Sequence, residues 1–462
     1  MRVPSVGLTQ RIRAHERVVV QVDSLALRCA GAAALVGAAA WLVIVLTQHH
    51  RDAEFAGRLH WSLTVLAAVT FIARGIFLGR PVTVMHAVAA ILTLFAGLSA
   101  HVLGFALLGG VLIAGSGLVL MWPMTAHPRP EDLPRVWTLI ERTHRDPLAP
   151  FAMQTGKCYH FDQTGTAALA YRTRMGFAVV SGDPIGAEQQ FPALVADFTA
   201  LCRSYGWRIV VLACSERRLG LWTAGAVLGQ SLTAVPIGRD VVIDVPTFSM
   251  SGRKFRNLRQ TVRHTHNRGI TTEILAEQAL SDAQRAELAD VLRASPKGAH
   301  FDRGFCMSLD GVLEGRFPGV RLIIARDGAG RVQGFDRFTT AGAGSEISLD
   351  VPWRRRDAPN GIDERLSVDM IEAARKAGAQ RLSLAFAAFP ELFEYHQRGV
   401  LRVCYLLVHL LDPWIALESL CRYLQKYHAM EARRYAVVSL TQVVPLLFVL
   451  LSLEFMPRRR RL

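Results

Sequence analysis

RKFRNLRQTVRHTHNRG, residues 253–269, is the stretch on which the reading of this chain turns. With about 100° between successive residues of a helix, Arg253, Arg256, Arg259 and Arg263 fall in one stripe about 120° wide. Phe255, Leu258 and Val262 form the opposite, apolar face, so the spacing predicts a helix over 252–268, stopped by Gly269. No Asp or Glu interrupts the run. An exposed row of guanidiniums without a local partner suits a phosphate backbone or anionic headgroups, the alternative being a solvated helix face. His264 and His266 lie two apart and do not share a face, which argues against a metal site there.

Short apolar, strand-like runs flank this helix at 177–180, 208–213, 241–245, 322–325 and 381–386. Helical stretches at 191–205, 281–294 and 363–377 alternate with them, with Ser281 as a start signal and Gly378 as a stop. Two α/β units of about 150 residues fill such a span. The arginine-rich helix is the natural boundary, giving a first unit over 125–269 and a second over 270–434.

Upstream, the windows 29–47, 59–78, 82–100 and 102–122 are apolar over about 20 residues each, enough to cross a hydrocarbon core of about 30 Å. The expected fold is an α-helical membrane domain of four transmembrane helices, 1–124, followed by an α/β part. Arg2, Arg11, Arg13, Arg17 and Arg28 outweigh Glu16 and Asp23 in the N-terminal tail. Arg51 and Arg58 are balanced by Asp52 and Glu54 in the next loop, and Arg74 and Arg80 flank the second turn. The positive-inside rule then places the N-terminus and everything after Trp122 in the cytoplasm of a multi-pass cell-membrane protein. Residues 435–462 read as an apolar helix with a polybasic tail, Arg458 to Arg461, for which spanning the membrane and lying on it both stay open.

The composition agrees. At 51% hydrophobic and 20% charged, the 462 residues exclude a purely soluble protein and a disordered one. There are 53 basic against 38 acidic residues, and the net charge of +15 favours anionic partners. Seven cysteines without a CxxC spacing fit a reducing compartment better than a disulfide framework.

A second basic cluster, SEISLDVPWRRRDAPNG at 345–361, reads as a strand ending in Asp350, a turn with Arg354, Arg355 and Arg356, and a helix start. A carboxylate at a strand end beside guanidiniums can act as base, amine anchor or loop salt bridge. No GxSxG, P-loop or GxGxxG occurs in the α/β part, nor the R/Q-x-x-G-x-G/A loop that cradles an acyl-CoA pyrophosphate. RDGAG at 326–330 reads as a hairpin turn.

With these motifs the chain resembles the aminoacyl-phosphatidylglycerol synthase family, also called phosphatidylglycerol lysyltransferase or multiple peptide resistance factor, in its actinobacterial branch. The resemblance rests on FDQTGTAALAYRTRMGFAVVSGDPIG (161–186), FSMSGRKFRNLRQTVRHTHNRG (248–269), RGFCMSLD (303–310), the SLD and RRRDAPNG pieces of 348–361, RLSLAFAAF (381–389) and ESLCRYLQKY (418–427). It implies a membrane part followed by tandem acetyltransferase-like (GNAT) folds, which accounts for an α/β chain lacking a CoA loop. It also implies transfer of an amino acid from aminoacyl-tRNA to a hydroxyl of phosphatidylglycerol or a related lipid. The partners are then aminoacyl-tRNA, an anionic phospholipid and the membrane; the amino acid is already activated, so no cofactor and no metal is expected. By the same resemblance Asp350 anchors the substrate amine or serves as base, and Arg354 and Lys426 hold phosphate or developing charge; should Asp350 not carry the chemistry, Glu364 is the next catalytic carboxylate to test. Arg253, Arg256, Arg259, Arg263 and Arg434 bind tRNA or lipid phosphate. The chain departs from the family pattern in Trp353, in Ala385 and in Glu431 to Tyr435. Two other readings are aminoacyl transfer to a peptidoglycan precursor and a non-catalytic membrane protein that binds lipid or nucleic acid.

Overall fold

The computed structural model describes residues 18–20, 25–47, 55–224, 231–295, 308–388 and 417–455. The N-terminal tail arginines up to Arg17, the 51–54 loop, Phe389, Arg303 to Cys306, Cys404 and the terminal arginines lie outside them. The chain forms two compact units. One comprises Met1–Ala126 with Thr173–Ala178 and Phe198–Ile209; the other is the remainder.

In the first unit α1 (Leu25–Thr47), α2 (Phe55–Phe77) and α3 (Val84–Val102) are long and apolar enough to cross a membrane, with mean hydropathy 2.3, 1.4 and 1.6. The fourth expected span is shorter. α4 (Ala106–Leu120) has 15 residues, about 22 Å at 1.5 Å per residue. Its glycines explain its packing: a Cβ at Gly109 would lie 2.8 Å from the Gly97 carbonyl oxygen of α3, and one at Gly117 would lie 2.6 Å from the Ala68 carbonyl oxygen of α2. Small residues let these backbones approach as in other membrane bundles.

The second unit holds most of a twelve-stranded mixed sheet: β1 (Cys158–Phe161), β2 (Ala167–Arg174), β3 (Phe177–Ser181), β4 (Ile185–Gly186), β5 (Arg208–Ser215), β6 (Thr233–Asp244), β7 (Thr271–Ala276), β8 (Arg321–Arg326), β9 (Val332–Ala341), β10 (Glu346–Arg354), β11 (Arg381–Ala388) and β12 (Met430–Val438). The order is β1-β2-β3-β5-β12-β6-β11-β10-β9-β8-β7, with β4 beside β2. Every strand-like run expected from the sequence falls in one of these strands. The longer helices that follow are α5 (Leu133–Glu141), α6 (Phe191–Ser204), α7 (Arg256–Asn267), α8 (Asp282–Ala294), α9 (Ile362–Lys376), α10 (Leu417–Gln425) and α11 (Val443–Phe455). Ser281 caps α8 through a capping box with Gln284. Gly269 and Gly378 end α7 and α9 with positive φ, followed by buried Ile270 and Ala379 whose N–H groups return to Thr265 and Ala374.

Chain order and strand order differ. β6, which precedes the arginine helix, lies between β12 and β11, so the sheet runs without a break across residue 269. Phe255 and Leu258 of the arginine segment pack into one core cluster with Ile362, Leu366 and Met370 of α9. The segment is therefore a packed element of that core. The start of the expected C-terminal helix over 435–462 is corrected: Tyr435 and Val437 pair with Cys214 and Val211 of β5, and among the described residues the helix α11 begins at Val443.

Candidate active site

The N-terminus of α9 brings together three of the expected catalytic residues. Gly361, at φ +95°, precedes the helix without a side-chain cap. A Cβ there would sit 2.5 Å from Thr261 Cγ2, so glycine is what lets α7 close onto the start of α9. Lys426 donates from Nζ to Glu364 Oε1 in the first turn. The Lys426 side chain is 43% exposed and that of Glu364 only 9%, so the pair presents its cation outward. Arg354, at the end of β10, lies 3.6 Å from Asp363. Two cations thus flank a helix N-terminus whose own dipole favours an anion.

The floor of this site consists of residues that sequence reasoning missed. Tyr423 Oη is 2.6 Å from Ser367 Oγ and donates to the Asp363 carbonyl oxygen at 3.3 Å, and Tyr427 Oη donates to Tyr423 at 3.2 Å. Burial holds both phenols well above the ordinary tyrosine range, so they are neutral donors and acceptors at any working pH. Their i, i+4 spacing in RYLQKY was the available signal.

The arginine stripe adjoins this floor. His428, two residues after Lys426, stacks edge-on against Phe255 at 5.5 Å, with Nε2 3.4 Å from the Lys254 carbonyl oxygen. Arg253, Arg256, Arg259 and Arg263 are all exposed, while Phe255 and Leu258 are buried as expected. Arg259 differs from the others: its Nη1 donates to the carbonyl oxygens of Met250 and Gly252 and braces the preceding loop. The remaining three have no carboxylate partner among the described residues. Replacing Arg253, Arg256 and Arg263 by Gln removes three charges without touching the packed face, so the fold should survive. Affinity for tRNA should fall and its salt dependence flatten, because fewer counterions are released. Filter binding across a salt series checks this; an unchanged slope assigns the stripe to solvent.

Asp350 requires a correction. The sequence places it beside the arginine turn at a substrate entrance, but the carboxylate is buried in the interior. Arg337 pairs with Val351 and Phe338 with Leu349, so Asp350 is the extra residue of a β-bulge in β10, a device that re-aims a side chain. Its Oδ2 accepts from Arg337 Nη1 at 2.8 Å and its Oδ1 from the Leu309 N–H at 2.9 Å. Arg337 Nη2 donates in turn to Glu277 at 2.9 Å, and Glu277 accepts from the Leu313 N–H at 2.7 Å. Burial pushes the Asp350 carboxyl up to about 6, against the opposing pull of Arg337 and the Leu309 N–H. Arg337 and Glu277 were missed, although a charged Asp-Arg pair inside the apolar strand VQGFDRFTTA was a legible sign of a buried ion network.

Arg434 is corrected too. It is 1% exposed and cannot meet a phosphate at the surface. Its guanidinium donates to Asp240 at 2.7 Å, to Asp146 at 2.8 Å and to the Ala213 carbonyl oxygen at 3.0 Å, with Asp183 at 3.6 Å. Burial, then the Asp146 charge, pushes Asp183 above the usual carboxylate range. Arg434 thus ties β12 to β5, β6 and the two aspartate-bearing loops. Trp353, where the family pattern has an arginine, is buried with Phe335 and Leu322 in the core beneath α8, so the departure is a packing residue.

The family model for the C-terminal part of phosphatidylglycerol lysyltransferase matches residues 137–438, the whole span from α5 to β12. The chain belongs to this family. Within it, the chain is 68% identical over its entire length to an MprF-like domain protein of Mycobacterium tuberculosis, covering 96% of that protein. It is 30% identical over 63% of its length to the lysylphosphatidylglycerol biosynthesis bifunctional protein LysX of Rhodococcus jostii, of which it covers 26%. The chain therefore spans nearly all of the first relative but only about a quarter of the second. Among solved structures, L-PGS from Bacillus licheniformis aligns with a TM-score of 0.58 at 18% identity, covering 71% of this chain and 98% of that one. A C-terminal domain from Agrobacterium fabrum aligns at 0.59 and 22%, covering 71% and 99%. These likenesses support the expected α/β fold of the part that follows the apolar helices.

Proposed function

We propose that the chain is a membrane-anchored aminoacyltransferase that moves an amino acid from aminoacyl-tRNA to a hydroxyl of phosphatidylglycerol. The observation that carries the reading is that the family match encloses the α9 site, where Lys426, Glu364 and Arg354 converge beside the exposed arginines of α7. The reaction is an ester exchange. The lipid hydroxyl oxygen attacks the aminoacyl carbonyl carbon and loses its proton; the bond to the tRNA ribose oxygen breaks, and that oxygen takes up a proton. In this reading Glu364 accepts the hydroxyl proton and Lys426 stabilises the tetrahedral oxyanion. Arg354 and the α7 arginines hold phosphate. Asp350, fastened to Arg337, keeps the sheet behind the site in place. The apolar helices anchor the chain, and the arginine excess near their ends supports a cytoplasmic α/β unit with access to tRNA.

Lipid extraction from cells fed a labelled amino acid tests this reading. Label on phosphatidylglycerol supports it; label on a wall precursor, or on neither product, replaces it with one of the other two readings.

A further inference from the structure

A second cationic site lies in the first unit. Arg74 is in the last turn of α2, Arg80 in the connection to α3, and Arg208 at the start of β5. Close approaches at two glycines, one to backbone and one to side chains, hold these segments together. A Cβ at Gly206, where φ is +61°, would lie 2.8 Å from the Leu78 carbonyl oxygen and 2.9 Å from the Arg80 backbone. At Gly176, φ +82°, it would lie 3.0 Å from the Arg80 guanidinium and 3.4 Å from Pro123. The Arg208 N–H donates to the Gly176 carbonyl oxygen at 2.9 Å, and Arg80 Nη1 to that of Met121 at 3.0 Å. The Trp207 indole N–H reaches the Met124 carbonyl oxygen at 2.8 Å, and its ring stacks on Tyr205 at 4.6 Å.

The Arg74 and Arg208 charges act on Arg80 across this frame, and among the described residues no carboxylate forms an ion pair with any of the three. Arg80 is half-buried, and burial followed by the Arg74 and Arg208 charges lowers it to about 10. Like charges gathered around a half-buried cation repel one another, and the frame leaves an anion as what would relieve them. The surroundings identify its source. Phe77, Trp122 and Met175 are each about half exposed at the same end of the helices, apolar surface of the kind that sits at a bilayer's headgroup level.

We propose that Arg74, Arg80 and Arg208 form a binding site for the phosphate of an anionic phospholipid at the membrane surface, separate from the transfer site. The proposal rests on the membrane anchor and not on the transfer reaction. The test uses the full chain in phosphatidylcholine nanodiscs, titrated with phosphatidic acid and, in a parallel arm, with inorganic phosphate. Phosphatidic acid should raise the melting temperature saturably, and inorganic phosphate should not. Arg80→Gln and Arg208→Gln should each weaken the apparent affinity about fivefold, the scale of one basic residue at an anionic surface. Arg208→Lys should retain most of it. Should Arg80→Gln fail to fold, Arg208→Gln and the loss of wild-type affinity at high salt decide the matter. Equal affinity in wild type and Arg208→Gln, or an equal response to inorganic phosphate, overturns the proposal.

Discussion

Arg337→Met should destabilise the α/β unit by about 3–5 kcal/mol, the scale for removing one partner from a buried ion pair. Two carboxylates depend on this guanidinium. Asp350 and Glu277 are both buried, and each also accepts from a backbone N–H, that of Leu309 and of Leu313 respectively. Without Arg337 these N–H groups are left to hold two ionised groups in the interior. The loss should depend on pH in a defined direction. Asp350 already titrates at about 6, above its unfolded value, so ionising it opposes folding; that cost is absent below the unfolded value and develops as pH rises through the folded one. Removing Arg337 takes away a charge that lowers the Asp350 value, so Asp350 is protonated in both folded proteins at low pH, and the variant's deficit should grow only as pH rises through about 6 and beyond. Replacing Glu277, Arg337 and Asp350 together by Leu, Met and Leu should recover much of the stability. Urea melts at pH 5 and pH 7.5 check all three statements; a deficit independent of pH would show that the triad is not what was lost.

Lys426→Met should lower transfer by roughly 10²–10³-fold, as expected for one donor to a developing oxyanion. Its melting temperature should fall much less than that of Arg337→Met, because the Lys426 side chain is 43% exposed and its ion pair with Glu364 is partly screened by solvent. Glu364→Gln should impair transfer as well, through loss of the proton acceptor and of the partner that orients Lys426. Full transfer by a folded Lys426→Met protein removes this site from the chemistry.

The periodic parts of the fold were legible in the sequence. The starts and stops at Ser281, Gly269 and Gly378 follow local backbone chemistry that the residues themselves display. The exchange of β6 and β12 was not legible, because strand order depends on contacts between residues about 200 positions apart, such as Arg434 with Asp240. Asp350 shows the same limit. Its neighbours in sequence are Arg354 to Arg356, but a one-residue bulge turns it toward Arg337 on the adjacent strand. Arg434 read as a surface cation because a basic stretch surrounds it, and only the three converging aspartates reveal it as a tie. Lys426, Glu364 and Arg354 came into view through the family resemblance; their meeting at one helix start is a result of the fold.

The central claim is tested most directly with the purified full chain, vesicles containing phosphatidylglycerol, and tRNA charged with a labelled amino acid. Lysine is the first to try, in view of the family. The account predicts label in the lipid fraction, dependent on phosphatidylglycerol, abolished by ribonuclease, and absent when free labelled amino acid replaces the charged tRNA. Intact charged tRNA bound by the protein but yielding no labelled lipid across a panel of amino acids would contradict it.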